Sequence, residues 1–217
     1  MNKPKRKRST KKKGGKGKRK GGAFENKVCK LLSLWVSNDT RDDLYCRSAT
    51  SGGRATVRFQ RYGTKSVNQA GDITCIDTSG DEILTKIFCI ECKSYKDLFY
   101  HSLLLLKPKN KSFVGFWKQT CDTAQDHDRL PLLIAKSKKN AEIIVGISYE
   151  GLISLNCSTS DLHNVIDSYS LYSGKLKLYL FTFDEFVISF KIKTTPKLSV
   201  RLPKWKLEPL PRKRLSK

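Results

Sequence analysis

The sequence predicts one α/β domain with a sheet of mixed direction, set between two basic arms. Two kinds of apolar periodicity alternate along the middle of the chain, turn residues fall between them, and positive charge is concentrated at the two ends. The formal net charge is +23 over 217 residues. Residues 1–22 hold twelve Lys or Arg and no acid, and residues 191–217 hold ten against Glu208 alone. The body, 23–190, is therefore nearly neutral, and it is long enough for one core. The first arm, rich in Lys, Arg and Gly without apolar periodicity, is expected to be disordered. The last stretch, 191–217, reads as a basic, Pro-containing tail.

The elements follow in order. Ala23-Phe24-Glu25 opens a helical pattern in which Phe24, Val28, Leu31, Leu32 and Trp35 share one face. Glu25 heads a neighbouring row with Cys29, Leu32 and Val36, on the rim of that face; a carboxylate there also suits the helix dipole. Leu44–Thr50 reads as a strand running into the loop Ser51-Gly52-Gly53. Gly71-Asp72-Ile73-Thr74-Cys75-Ile76-Asp77 and Lys86–Ser94 read as two strands joined by a turn at Thr78-Ser79-Gly80-Asp81. Phe113–Asp128 reads as a helix with Phe116, Trp117, Cys121 and Ala124 on one face. Strands are expected at 132–136 and 142–148, with a turn at 137–140. Beyond them come a short helix at 161–169, a strand at 175–181 and a terminal helix at 183–190.

Asp72, Glu91 and Lys93 carry the chemistry. Side chains alternate faces along a strand, so Glu91 and Lys93 point the same way, about 6.7 Å apart along the chain. Phe88, Ile90 and Cys92 then point into the core. Two carboxylates on adjoining strands suit Mg²⁺, which takes oxygen ligands and keeps waters and phosphate in its remaining positions. Lys93 would position or help deprotonate a water, or offset charge on a phosphate. A Glu–Lys pair on a solvated sheet face needs no function, so the surrounding elements decide.

A helix with Ala-Phe-Glu, a strand ending Arg47-Ser48-Ala49-Thr50-Ser51-Gly52, a strand opening Gly71-Asp72 and a strand carrying Ile90-Glu91-Cys92-Lys93-Ser94 together resemble the PD-(D/E)xK nuclease superfamily. Within it they are most similar to archaeal-type and phage Holliday-junction resolvases. The resemblance covers about residues 22–136. It implies a restriction-endonuclease-like αβββαβ core, a homodimer and Mg²⁺-dependent cleavage of DNA phosphodiesters, with Mn²⁺ able to substitute. Glu25, Asp72 and Glu91 would then be acidic metal-site residues, with the Cys92 carbonyl as an extra ligand. Lys93 would be the catalytic lysine, and Ser48 or Ser51 the serine near the scissile phosphate. Gly71 stands where the motif has Pro, and the stretch from Ser51 to Ala70 is longer than in compact relatives. Gln119 falls where some branches carry a site glutamine, although a solvated helix-face residue explains it as well.

Charge points to the same partner independently. The arm that includes Lys11, Lys12 and Lys13 is a footprint for a polyanion and accompanies no amphipathic helix or lipidation signal. DNA is expected rather than membrane. Arg47, Arg54, Arg58 and Arg61 flank the Gly-rich loop and suit phosphate clamping, while Phe59 and Tyr62 are placed to stack on a base. Four-way-junction cleavage stands beside two alternatives: a non-catalytic nucleic-acid-binding protein on a nuclease scaffold, and a restriction-type or nicking endonuclease.

Other signals lead elsewhere. Cys89 and Cys92 form a CxxC, but lie on opposite faces of a strand and have no second pair at zinc spacing. Seven scattered cysteines read as reduced thiols of an intracellular protein, cytoplasmic or associated with the nucleoid. Asp126-His127-Asp128 reads as a solvated helix end. No run reaches transmembrane length, and Val28–Val36 lacks a cleavage site for a signal peptide.

Overall fold

The structure, a computed structural model, describes residues 16–48, 70–76, 82–98, 112–138, 142–155, 171–173 and 178–190. The first helix, α1 (Lys16–Ser37), buries Phe24, Val28, Cys29, Leu32, Trp35 and Val36, the face its periodicity marks. It begins inside the stretch expected to be a disordered arm. Once the apolar face nucleates a helix, the preceding residues are added at one hydrogen bond each, and Lys and Arg are good helix formers. At its other end Asn38 and Asp39 take positive φ, the left-handed conformation common in helix C-terminal caps.

A two-stranded ribbon comes next, β1 (Tyr45–Arg47) antiparallel to β2 (Ile73–Cys75). The Ser33 hydroxyl on α1 accepts from Tyr45 N at 3.1 Å, which seats the ribbon on the helix. A short helix, α2 (Glu82–Ile87), leads into β3 (Phe88–Tyr95). The expected hairpin between the two strands is not formed. Glu82–Ile87 coils into a helix that buries Leu84, and the sole bridge between this ribbon and β3 among the described residues, Gly71 to Ile90, is parallel. Thr78–Asp81, the expected turn, lies outside the described residues.

Then follow α3 (Phe113–Asp126), β4 (Leu130–Ser137), β5 (Ile143–Ile147), α4 (Tyr149–Ser154), β6 (Leu171–Ser173), β7 (Leu178–Thr182) and α5 (Phe183–Ser189). The five-stranded sheet has the order β3-β4-β5-β7-β6. Its β3–β4 pair is parallel, with α3 as the crossover that parallel neighbours need, and its other pairs are antiparallel. The order α1–β1–β2–β3–α3–β4 is the αβββαβ order with α2 inserted, a mixed α/β fold of the restriction-endonuclease-like kind. α4, which the periodicity did not reveal, starts on Ser148, whose hydroxyl accepts from Gly151 N. The helix expected at 161–169 lies outside the described residues. α5 begins with a capping box between Thr182 and Glu185.

The sheet is covered on both faces. Phe88, Ile90, Cys92, Leu132, Ile134, Val145 and Ile147 pack with α1 and α5. Leu133, Ala135, Leu178 and Leu180 pack with Phe113, Phe116 and Trp117 of α3. The nearly continuous apolar run of β4 is the pattern of a strand buried on both sides. β3 would read the same way, were it not for Glu91 and Lys93.

Candidate active site

Gly71 sets the site. Its φ is +82°, and a Cβ placed on it would lie 2.5 Å from the Ile90 carbonyl oxygen. Only glycine meets both conditions, and proline, fixed near about −65°, meets neither. This is the physical reason for Gly before the motif aspartate. The close approach lays Asp72 against β3: Asp72 N donates to Ile90 O at 2.8 Å, and Cys92 N donates to Asp72 Oδ2 at 2.9 Å. Ser48 N donates to the Asp72 carbonyl at 2.9 Å, extending the β1–β2 ladder by one step. In the register Arg47↔Ile73, Ser48 stands opposite Asp72, so the two side chains share a face.

From β3 itself come Glu91, 2 % exposed, and Lys93, whose Nζ donates to Glu91 Oε2 at 2.7 Å. Burial, and then the charge of Glu91, push the Asp72 carboxyl up to about 7; Lys93 and the Cys92 N–H oppose this. For Lys93, burial works to lower the pKa, but the charge and hydrogen bond of Glu91, helped by Asp72, leave it raised. Lys93 is therefore a cationic hydrogen-bond donor at neutral pH rather than a base.

Two carboxylates buried side by side, with the Asp72 carboxyl raised by burial and by the charge of Glu91, are a donor set short of positive charge. Asp72 Oδ1 and Glu91 Oε1 accept no hydrogen bond from any described residue. In a strand a residue's N–H and C=O leave on the same side, so the Cys92 carbonyl also leaves β3 on the Asp72 side, away from β4. The Ser48 hydroxyl is buried with no hydrogen-bond partner among the described residues, a vacancy that costs about 1–3 kcal/mol unless a polar ligand fills it. Asp72, Glu91 and the Cys92 carbonyl fit a hard divalent cation.

Glu25 lies near enough for its charge to act on Asp72, but it is paired elsewhere. Its Oε2 accepts from Arg47 Nε, and the described residues hold no group of three or more His, Cys, Asp or Glu side chains able to ligate one ion. The guanidinium of the adjoining strand is the hydrogen-bond partner that the structure gives Glu25. Arg47, expected to face DNA, is 41 % exposed and braced by that pair. Ser51, Arg54, Arg58, Arg61, Lys11, Lys12 and Lys13 lie outside the described residues. Gln119 is exposed on α3, as a solvated helix-face residue should be. Cys92 turns its side chain into the α1 cluster, while Cys89 packs apart with Ala70 and Ala124. Sequence reasoning missed Gly22, on which the Arg47 guanidinium rests; the Gly21-Gly22 doublet in a helical stretch was the available signal.

The sequence model of a family described as "Phage putative PDDEXK endonuclease" matches residues 16–196, most of the chain and all of the site. The chain belongs to this family. It is a PD-(D/E)xK nuclease. No curated protein and no solved structure gives a significant match.

Proposed function

We propose that this PD-(D/E)xK nuclease is a Mg²⁺-dependent, structure-selective DNA endonuclease, acting as a homodimer on branched DNA in the manner of a four-way-junction resolvase. The observation that carries the catalytic part is the burial of Asp72 beside Glu91 with Lys93 paired to Glu91. Asp72, Glu91 and the Cys92 carbonyl would hold the cation, and Mn²⁺ would replace Mg²⁺ at the same oxygens. A cation bound there lowers the pKa of a water and offsets phosphate charge. Lys93, held protonated by Glu91, holds the attacking water and stabilises the anionic phosphate as the P–O bond breaks. The Ser48 hydroxyl, facing the same side as Asp72, donates to a phosphate oxygen.

Support for the branched substrate comes from the likeness of the ordered motifs to junction resolvases and from the charge distribution. A nearly neutral body with two strongly basic ends suits a protein that tethers itself to DNA by its arms. A four-way junction presents two symmetry-related scissile strands, which calls for two sites about a twofold axis. The non-catalytic alternative gains nothing from keeping Asp72, Glu91 and Lys93 together at the desolvation cost they carry.

The test is cleavage of a labelled four-way junction against linear duplex of the same sequence, in Mg²⁺, with light scattering on the full chain. Preferential, paired cutting by a dimer is expected. Equal cutting of linear DNA by a monomer would replace the reading with a restriction-type or nicking endonuclease.

A further inference from the structure

Glu25, at the position where the resemblance puts an acidic metal-site residue, is spent on Arg47. Its side chain is 14 % exposed and its Oε2 takes the Arg47 Nε, leaving the two terminal nitrogens of the guanidinium with no hydrogen-bond partner among the described residues. The guanidinium lies flat on α1 at Gly22: a Cβ there would meet Arg47 Nη1 at 2.9 Å and Cζ at 3.1 Å. So the fork is held at Nε by Glu25 and rests on a glycine, in a side chain that is 41 % exposed. Its two terminal nitrogens match two oxygens of a phosphate, which a guanidinium grips with parallel hydrogen bonds. Arg47 is followed at once by Ser48, which is bonded to the Asp72 backbone. Arg47 ends the strand that borders Asp72, so a phosphate held by it would lie near the Asp72–Glu91 site.

We propose that Gly22, Glu25 and Arg47 form a preorganised clamp for a DNA backbone phosphate, in which Glu25 is a positioning residue and not a third metal ligand. The inference rests on the nuclease reading above. It assigns Glu25 a role through Arg47, and it makes Gly22 a seat at which a Cβ would displace the end of the Arg47 side chain.

Four variants of the full chain separate the possibilities, each read by Mn²⁺ binding without DNA and by affinity for the four-way junction at several salt concentrations. Arg47→Gln should weaken DNA binding about tenfold and flatten the log–log salt slope by about 0.9. Gly22→Ala, a favourable change for a helix, should dislodge the guanidinium and weaken DNA binding several-fold with the salt slope kept. Glu25→Ala should act like Gly22→Ala, while Glu25→Gln, which still accepts from Nε, restores most of the affinity. All four should bind Mn²⁺ as wild type does. If Glu25→Ala loses Mn²⁺ binding as Asp72→Asn does, Glu25 is a ligand and the clamp is wrong while the nuclease site stands. Unchanged DNA affinity in Gly22→Ala and Glu25→Ala would also overturn it. Mn²⁺ binding and cleavage surviving in Asp72→Asn would instead refute the underlying site.

Discussion

The two ends of the core spend burial in opposite ways. Around α5, Trp35 donates its indole N–H to the Phe190 carbonyl at 2.8 Å and packs on Phe186 with ring centroids 5.2 Å apart. Phe181 and Phe190 complete the cluster with an edge-on contact at 5.4 Å. Every group there gains by leaving water. At β3 the same sheet buries Asp72, Glu91 and much of Lys93, with a Ser48 hydroxyl left unbonded. That region loses by leaving water and is held in place by its neighbours. The difference teaches where stability is made and where it is given up for chemistry.

Substitutions at the two ends should accordingly separate activity from stability. The largest expected effect is on catalysis: Lys93→Ala should lower DNA cleavage by about a hundred- to a thousandfold, with junction binding close to wild type in a gel-shift assay. Loss of binding and cleavage together would mean a damaged fold. At the aromatic end, Phe186→Ala should destabilise by about 3–5 kcal/mol in urea unfolding, and Mn²⁺ binding by the folded fraction should persist. A loss below about 1 kcal/mol would show that this cluster is not the anchor of the core.

Gly71→Ala sits between the two classes. The new methyl would face backbone at 2.5 Å from Ile90 O, and the positive φ adds about 1–2 kcal/mol of strain. Mn²⁺ affinity should fall with the stability, because Asp72 is placed by that contact. Retained Mn²⁺ affinity would show that Asp72 is positioned from elsewhere.

The smallest effect is on pH dependence. Asp72, raised to about 7 in the fold by burial and Glu91, binds a proton more tightly folded than unfolded. Its contribution is complete below the unfolded pKa of about 4 and is lost as pH rises toward 7. The protein should therefore melt lower at pH 8 than at pH 5, and Asp72→Asn should flatten this trend. An unchanged trend would place the titration on another group.

Much of this was legible in the sequence. The helix through Phe24 and Trp35, the strand of Glu91 and Lys93, the helix at 113–126 and the strands after it follow from periodicities that burial respects. The strand carrying Glu91 and Lys93 was readable too, and the structure places Asp72 against it. Periodicity failed where tertiary contact decides. Six residues before Phe88 form a helix, since Leu84 finds a core place there and local turn chemistry does not govern. Gly71 owes its identity to Ile90, 19 positions away, and Gly22 lies against Arg47, 25 positions away, contacts that no local pattern reports. Glu25 was readable as an acid on a helix rim, and its partner was not.

The central claim is that Asp72 is buried for catalysis and against stability. It is tested by taking one preparation of Asp72→Asn at pH 8, without added metal, for its unfolding temperature, and then with Mg²⁺ for cleavage. Asp72→Asn should unfold at a higher temperature than wild type and lose cleavage. A variant that melts lower, or that still cuts DNA, would contradict it.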